Sequence, residues 1–166
     1  MTAWALVALA LACGGATRPV AVTAIPASSA MALPALEVRL LDGGVWSPRE
    51  ARGQVVVLEI WATYCEPCRD AFPRLDRLAA TPGVTVIGLA VDDDDVVVRR
   101  FLAEVPAGFP IARASEDDAR DGPLAIRRLP TVVVLDRAGR VRFRGEEPSV
   151  ADQDALPALV AALLAE

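Results

Sequence analysis

The stretch QVVVLEIWATYCEPCRDAFPRLDRLAA, residues 54–80, contains the change of hydrophobic period that decides the fold. Residues 54–61 form a nearly continuous β-branched and apolar run, which predicts a strand buried on both faces. From residue 65 to residue 80 the apolar side chains recur at helical spacing, which predicts a helix with one buried face. That face consists of Phe72, Leu75, Leu78 and Ala79. The sequence therefore predicts a buried strand followed at once by a helix, with Cys65 and Cys68 at the junction.

Strand and helix patterns alternate through the rest of the chain. Further strands are predicted at residues 37–41, 83–91, 131–135 and 141–144. Further helices are predicted at residues 94–105 and 152–165. In the first of these helices, Val97, Phe101 and Leu102 are expected to face the core. The turn signal at residues 42–44 predicts an N-terminal β-hairpin, and the whole pattern indicates an α/β domain with a mixed central sheet flanked by helices.

The composition argues against several classes of function. The net charge is −5, and the Arg residues form no basic stripe, which argues against binding nucleic acid. No histidine occurs among the 166 residues, so the sequence lacks the commonest transition-metal ligand and the usual general base. We therefore expect no metal and no cofactor, and chemistry that rests on sulfur and carboxylates.

The beginning of the chain predicts export. An uncharged apolar run at residues 3–12 has the length of a signal sequence and is too short to cross a bilayer as a helix. Cys13 follows directly, as in a bacterial lipoprotein signal, where this residue becomes lipidated. Plain secretion, with cleavage near Ala30-Met31-Ala32, and an uncleaved anchor are the alternatives. The predicted parts of the chain are a signal segment at residues 1–13, a flexible tether at residues 14–35 and the folded domain at residues 36–166.

The chemistry of the chain is expected at Cys65 and Cys68. Cys65 is expected at a helix N-terminus, where unpaired backbone N–H groups and the positive end of the helix dipole favour its thiolate form. The thiolate is the nucleophile in disulfide exchange. Cys68 lies three residues further on, within reach of a mixed disulfide formed at Cys65. Pro67 fits the first helical turn, where a missing N–H is tolerated, whereas the charge of Glu66 opposes thiolate formation.

Structural roles are the alternatives to a redox-active pair. A zinc site needs four ligands, and the chain has neither a histidine nor a second cysteine pair. A structural disulfide that closes so short a loop would restrain little of the chain. The acidic run at residues 92–95 lacks the spacing of an EF-hand, and acids before a helix are expected from the helix dipole rather than from calcium binding.

Three stretches resemble the TlpA/ResA-like branch of the thioredoxin superfamily. They are VVVLEIWATYCEPCRDAFPRL at residues 55–75, Leu129-Pro130-Thr131, and VVVLDRAGRV at residues 132–141. The resemblance extends from about Leu36 to the end of the chain. It implies a thioredoxin fold with an N-terminal hairpin and an extra strand–helix insertion between Cys68 and Pro130.

The same resemblance implies roles for residues around the cysteine pair. Pro130 would follow a cis peptide bond and face Cys65, and Leu129 would offer backbone hydrogen bonds to an extended substrate. Glu59 stands where thioredoxins place a buried acid, which could carry the proton of Cys68. The substrate contacts implied in this way are Trp61, Glu66, Pro67, Leu129 and Pro130. One departure is Ala71, which occupies a position where this branch often has Glu.

The resemblance implies a protein-disulfide oxidoreductase that exchanges electrons with exported, disulfide-bearing proteins, in the reducing direction and without a cofactor. The protein is expected on the periplasmic side of the bacterial cell envelope, attached to the membrane by a lipid at Cys13. It is expected to be a monomer and to receive electrons from a membrane donor.

Two alternatives use the same fold. A thiol peroxidase needs a Pro and a Thr at fixed places before its reactive Cys, and that Pro is absent. A Cu(I)-delivery module would use the two thiols as soft ligands, without support from His or a nearby Met.

Overall fold

The structure of the protein is a computed structural model that describes residues 22–33 and 35–166. The predicted signal segment at residues 1–13, its lipidation residue Cys13 and the first part of the predicted tether lie outside the described residues. No helix in the described part of the chain combines the length and the apolar character that crossing a membrane requires.

One mixed sheet organises the described residues. Its strands are β1 (Val38–Leu40), β2 (Val45–Trp46), β3 (Val55–Trp61), β4 (Val84–Ala90), β5 (Ile111–Arg113), β6 (Thr131–Leu135) and β7 (Val141–Glu146). They lie in the order β2-β1-β5-β4-β3-β6-β7. β4 pairs in parallel with both β3 and β5, whereas the other neighbours are antiparallel. The predicted hairpin is β1 with β2.

The helices are α1 (Glu66–Ala79), α2 (Asp95–Glu104), α3 (Glu116–Asp121) and α4 (Val150–Leu164). Together with the sheet they confirm the predicted α/β class, a mixed central sheet flanked by helices. The predicted face of α1 is correct at Phe72, Leu75 and Leu78, which are buried, while Ala79 is half-buried.

The inward face of α2 was predicted incorrectly at Val97. That side chain is 42% exposed, and Val98 and Phe101 are the buried residues of α2. The helix begins at Asp95, because the Asp94 side chain caps it by accepting a hydrogen bond from the Val96 N–H at 2.8 Å. Three consecutive valines give no signal about which of them faces the core, so the sequence pattern could not distinguish Val97 from Val98.

β3 lies at the centre of the fold, and all seven of its residues are buried. β4 and β6 pair with its two edges, so side chains on both faces contribute to the core. Trp61 points toward α1, because its ring packs at 5.0 Å, centroid to centroid, on that of Phe72. Glu59, two residues earlier on the same strand, therefore faces α1 as well.

The region between Cys68 and Pro130 contains two elements that the hydrophobic pattern did not identify. β5 has three residues and α3 has six, which is too short for either period to be recognised. β5 joins the N-terminal hairpin to the rest of the sheet, since β1 pairs with one of its edges and β4 with the other.

The described part of the predicted tether packs on the edge strand β7, so the predicted domain boundary at residue 36 is too late. The Ile25 N–H donates to the Arg142 carbonyl at 2.6 Å, and the Val141 N–H donates to the Met31 carbonyl at 2.8 Å. The Arg142 guanidinium also donates to the Ile25 carbonyl at 2.7 Å. A segment rich in Ala, Pro and Ser builds no core of its own, but its backbone can still pair with an open sheet edge.

We expect a chain that begins at residue 36 to be less stable than one that begins at residue 22. The shorter chain loses the hydrogen bonds along β7 and leaves the Arg142 side chain without its Ile25 partner. The free energy of unfolding should fall by about 1–3 kcal/mol, as measured by urea denaturation of the two chains. Equal unfolding midpoints and slopes would show that the segment adds nothing to the domain.

Candidate active site

Cys65 and Cys68 form a disulfide where β3 leads into α1, with 5.3 Å between their Cα atoms. Cys65 is the N-cap of α1, and its backbone is extended there. Its side chain is 8% exposed, whereas Cys68, one turn further into the helix, is fully buried. An incoming sulfur can therefore approach Cys65 but not Cys68. Glu66 and Pro67 lie between them and are exposed.

Asp92 fixes the loop that carries Cys65. This carboxylate accepts hydrogen bonds from the Thr63 N–H at 3.0 Å and from the Thr63 hydroxyl at 2.6 Å. Its own backbone carbonyl accepts from the Arg113 guanidinium at 2.7 Å. Sequence reasoning missed this role and treated Asp92 as one of four similar acids. Its place directly after a strand parallel to β3 was the available signal, because the ends of parallel neighbours lie at the same edge of a sheet.

The other acids of the run also have separate structural roles. Asp94 caps α2, and Asp95 forms an ion pair with Arg113 at 2.5 Å. With Asp92 turned toward Thr63, the carboxylates are distributed among different partners. Among the described residues no group of three or more Cys, Asp or Glu is arranged to hold a metal ion.

Trp61 is the last residue of β3, four residues before Cys65, and is fully buried. Its ring packs with Phe72 and Phe101 at centroid distances of 5.0 and 4.9 Å. Trp61, which was expected to contact the substrate, therefore has no exposed surface in the oxidised protein and packs within the core. Gly88 makes room for the indole, because a Cβ at this position would lie 3.1 Å from Trp61 Nε1 and 2.8 Å from Ile111 Cδ1.

Glu59 is a buried acid on the face of β3 that α1 covers. Its side chain is 1% exposed, and its Oε1 has no hydrogen-bond partner among the described residues. Burial disfavours the charged form and raises the pKa of Glu59 to about 8. The carboxyl also lines a cavity of about 460 Å³ between α1 and α4, beside Arg74 and Gln153. Glu59 can therefore hold a proton at neutral pH and release it with a modest change in its surroundings.

Leu129 and Pro130 lie at the same end of the sheet as the disulfide, and the peptide bond between them is cis, as the resemblance implies. Thr131 at the start of β6 pairs with Ile60 of β3, so the preceding residues lie level with the end of β3. The Pro130 carbonyl accepts from the Glu147 N–H at 2.7 Å. The backbone N–H and C=O of Leu129 bond to no described residue, so both are available to a bound peptide.

The chain resembles known proteins along most of its length. A family model described as Redoxin matches residues 26–163. Over 104 residues the chain is 29% identical to the thiol-disulfide oxidoreductase ResA of Bacillus thuringiensis (strain Al Hakam), an alignment that covers 61% of this chain. The chain spans 60% of the length of that relative.

Two further matches agree with this one. The chain is 29% identical over 119 residues to the thiol:disulfide interchange protein DsbE of Pseudomonas fluorescens biotype C, covering 70% of this chain and 66% of that protein. A crystal structure from Chlorobium tepidum, described as a candidate DsbE, superposes with a TM-score of 0.75 at 28% identity and covers 81% of this chain and 96% of its own. The family match includes the cysteine pair, Glu59 and Pro130.

We expect the substitution Glu59→Gln to stabilise the oxidised protein increasingly as the pH rises. The carboxyl has a pKa of about 8 when folded against 4.5 when unfolded, so between these values the folded chain retains a proton that the unfolded chain has lost. The wild type therefore loses stability relative to the Gln variant from pH 4.5 upward, and the difference levels off above pH 8. The full change is on the order of 3–5 kcal/mol.

Urea denaturation of both proteins at several pH values measures this difference. Glu37→Gln is the matched control, because Glu37 is exposed and the same change there removes no buried carboxyl. A pH-independent difference for Glu59→Gln would contradict the raised pKa.

Proposed function

The chain belongs to the Redoxin family as a TlpA/ResA-like protein with the thioredoxin fold, and we propose that it exchanges electrons with disulfide-bearing exported proteins through Cys65 and Cys68. The unequal exposure of the two cysteine residues is the observation that carries this proposal. Cys65 lies at the surface end of α1, and Cys68 is buried one turn deeper. This is the arrangement that an attacking and a resolving thiol require.

The proposed reaction transfers two electrons from the dithiol to a substrate disulfide. The Cys65 thiolate attacks one substrate sulfur, the substrate S–S bond breaks, and the other substrate sulfur leaves as a thiolate that takes up a proton. Cys68 then loses its proton and attacks Cys65 Sγ, which forms the internal disulfide and releases the second substrate thiolate. The protein ends oxidised and the substrate ends as a dithiol.

Glu59 is proposed to accept the proton that Cys68 loses. Solvent cannot reach Cys68, so a buried base on the same side of β3 is needed to ionise it. A carboxyl with a pKa near 8 ionises only in part at neutral pH, and its conjugate acid keeps the proton within the protein until the next cycle. The adjoining cavity between α1 and α4 gives this carboxyl a route to solvent.

Leu129 and Pro130 are proposed to position the substrate. An extended segment that pairs with the free N–H and C=O of Leu129 would place its cysteine beside Cys65. Glu66 and Pro67, exposed on the first turn of α1, would contact the other side of the same segment. The proposed direction is reduction, which the TlpA/ResA-like resemblance supports, with electrons supplied by a membrane donor.

The proposed location is the periplasmic side of the bacterial envelope, with a monomer attached by a lipid at Cys13. The apolar run before Cys13 supports this proposal. In a bacterial host, the wild type should incorporate labelled fatty acid and Cys13→Ser should incorporate none, as measured by metabolic labelling and gel electrophoresis. Absence of label in the wild type would contradict lipidation at this residue.

Cys68→Ser should accumulate a mixed disulfide with a disulfide-bearing protein substrate, because Cys65 can still attack but nothing resolves the adduct. Non-reducing gels and intact-mass spectrometry detect this adduct. Cys65→Ser is the matched control and should form none, since Cys68 is fully buried. Adducts of equal yield in the two variants would contradict the assigned roles.

A further inference from the structure

A groove beside the disulfide has arginines on its rim. It encloses about 260 Å³, and its apolar wall includes Tyr64, Ile126 and Leu129. Arg120, Arg127 and Arg128 also line it. We call this cavity the arginine groove. The net charge of the protein is −5, so three guanidinium groups around one cavity are a local exception to the charge of the whole chain.

The arginine groove lies between the two segments that meet at the site. Tyr64 directly precedes Cys65, and Leu129 directly precedes Pro130. The free backbone groups of Leu129 are therefore part of the groove wall. A peptide that pairs with them while its cysteine reaches Cys65 must place its neighbouring residues along the arginines.

The loop that carries these arginines is held in place by hydrogen bonds. The Arg144 guanidinium donates to the Leu124 carbonyl at 2.5 Å and to the Ala125 carbonyl at 3.2 Å. The Ile126 N–H donates to the Ala119 carbonyl at 2.9 Å, and the Thr131 hydroxyl donates to the Arg128 carbonyl at 2.6 Å. A loop fixed before binding loses little further conformational entropy when a ligand arrives.

The three arginines differ in how far the protein already engages them. Arg128 pairs with Glu147 at 2.7 Å and Arg120 with Asp117 at 3.4 Å, and all four side chains are largely exposed. Exposed pairs of this kind are weak, so an incoming carboxylate can compete with Glu147 for Arg128. The exposed Arg127 side chain has no ion pair or hydrogen bond among the described residues.

Two of the three arginines are already paired with acids at the rim, Arg120 with Asp117 and Arg128 with Glu147, so Arg127 is the arginine that the described acids leave unpaired. Asp92 is hydrogen-bonded to Thr63, and Asp95 is paired with Arg113. Asp93 and Glu66 are exposed, but neither lines the groove. No acid is among the described residues that line the groove, so the charged side chains that a bound segment contacts there are arginines.

We propose that the arginine groove binds an acidic, extended segment next to the reactive disulfide of the protein substrate. This inference rests on the proposed function and names the class of substrate. Carboxylate side chains pair with the guanidinium groups, and apolar side chains of the same segment pack against Ile126 and Leu129. The groove thereby selects substrates by the charge that flanks their cysteines.

Two synthetic peptides test this proposal with the full chain. Both contain the same internal disulfide and differ only in residues flanking the cysteines, which are Glu in one peptide and Lys in the other. The measured quantity is the ratio of kcat/KM for the acidic peptide to that for the basic peptide. We expect the reduced wild type to prefer the acidic peptide about threefold to tenfold at low salt, and the preference to shrink at high salt.

Arg127→Glu should remove or reverse this preference. Arg127 has no polar partner among the described residues, so its loss breaks no hydrogen bond or ion pair. Arg137→Glu is the matched control, because Arg137 is exposed at the opposite end of β6 and undergoes the same change of charge. The control should keep the wild-type ratio. Equal wild-type rates with the two peptides, or equal effects of the two substitutions, would overturn the proposal.

A small neutral substrate separates this inference from the proposed function. 2-Hydroxyethyl disulfide carries no charge and is too small to span the groove, so its reduction by the wild type reports the chemistry of Cys65 and Cys68 alone. If the wild type reduces this compound but shows no preference between the two peptides, only the charge selection is overturned. Failure to reduce this compound overturns the proposed function and the charge selection with it.

Discussion

Burial of β3 along its whole length is the constraint on which the rest of the structure depends. β4 and β6 pair with the two edges of β3, and side chains cover both of its faces. The chain therefore turns away from β3 only where that strand ends, at the end of the sheet. Cys65 therefore lies at that end, on the N-terminus of α1. The register between β3 and β6 places Pro130 at the same level, so two segments distant in sequence form one site.

The interior beneath this site contains polar atoms without partners. Glu59 Oε1 and Trp61 Nε1 are buried and unbonded among the described residues, although most buried polar groups in proteins are hydrogen-bonded. Each such atom reduces stability by about 1–3 kcal/mol. Both lie on the face of β3 that supports the cysteine pair. A protein that needs a proton carrier below a buried thiol has a reason to keep a carboxyl there despite this cost.

The sequence was sufficient for the fold class, the central strand, the helix α1 and the position of the cysteine pair, because each depends on a local period or spacing. The sequence did not predict features that depend on contacts between distant segments. The segment around Ile25 had the composition of a tether, yet its backbone pairs with β7. Trp61 looked like a substrate contact until its neighbours Phe72 and Phe101 were known. The arginine groove is formed by residues from several parts of the chain, so no single motif could reveal it.

The equilibrium reduction potential of the full chain, titrated against glutathione, shows whether Cys65 and Cys68 form a redox-active pair. We predict that the bond between them opens and closes reversibly, at a potential above about −300 mV, as in proteins that exchange disulfides. Loss of the transition in Cys65→Ser would assign it to this pair. A reduction potential below about −300 mV would mean that the disulfide is a structural bridge, which would contradict a role in disulfide exchange.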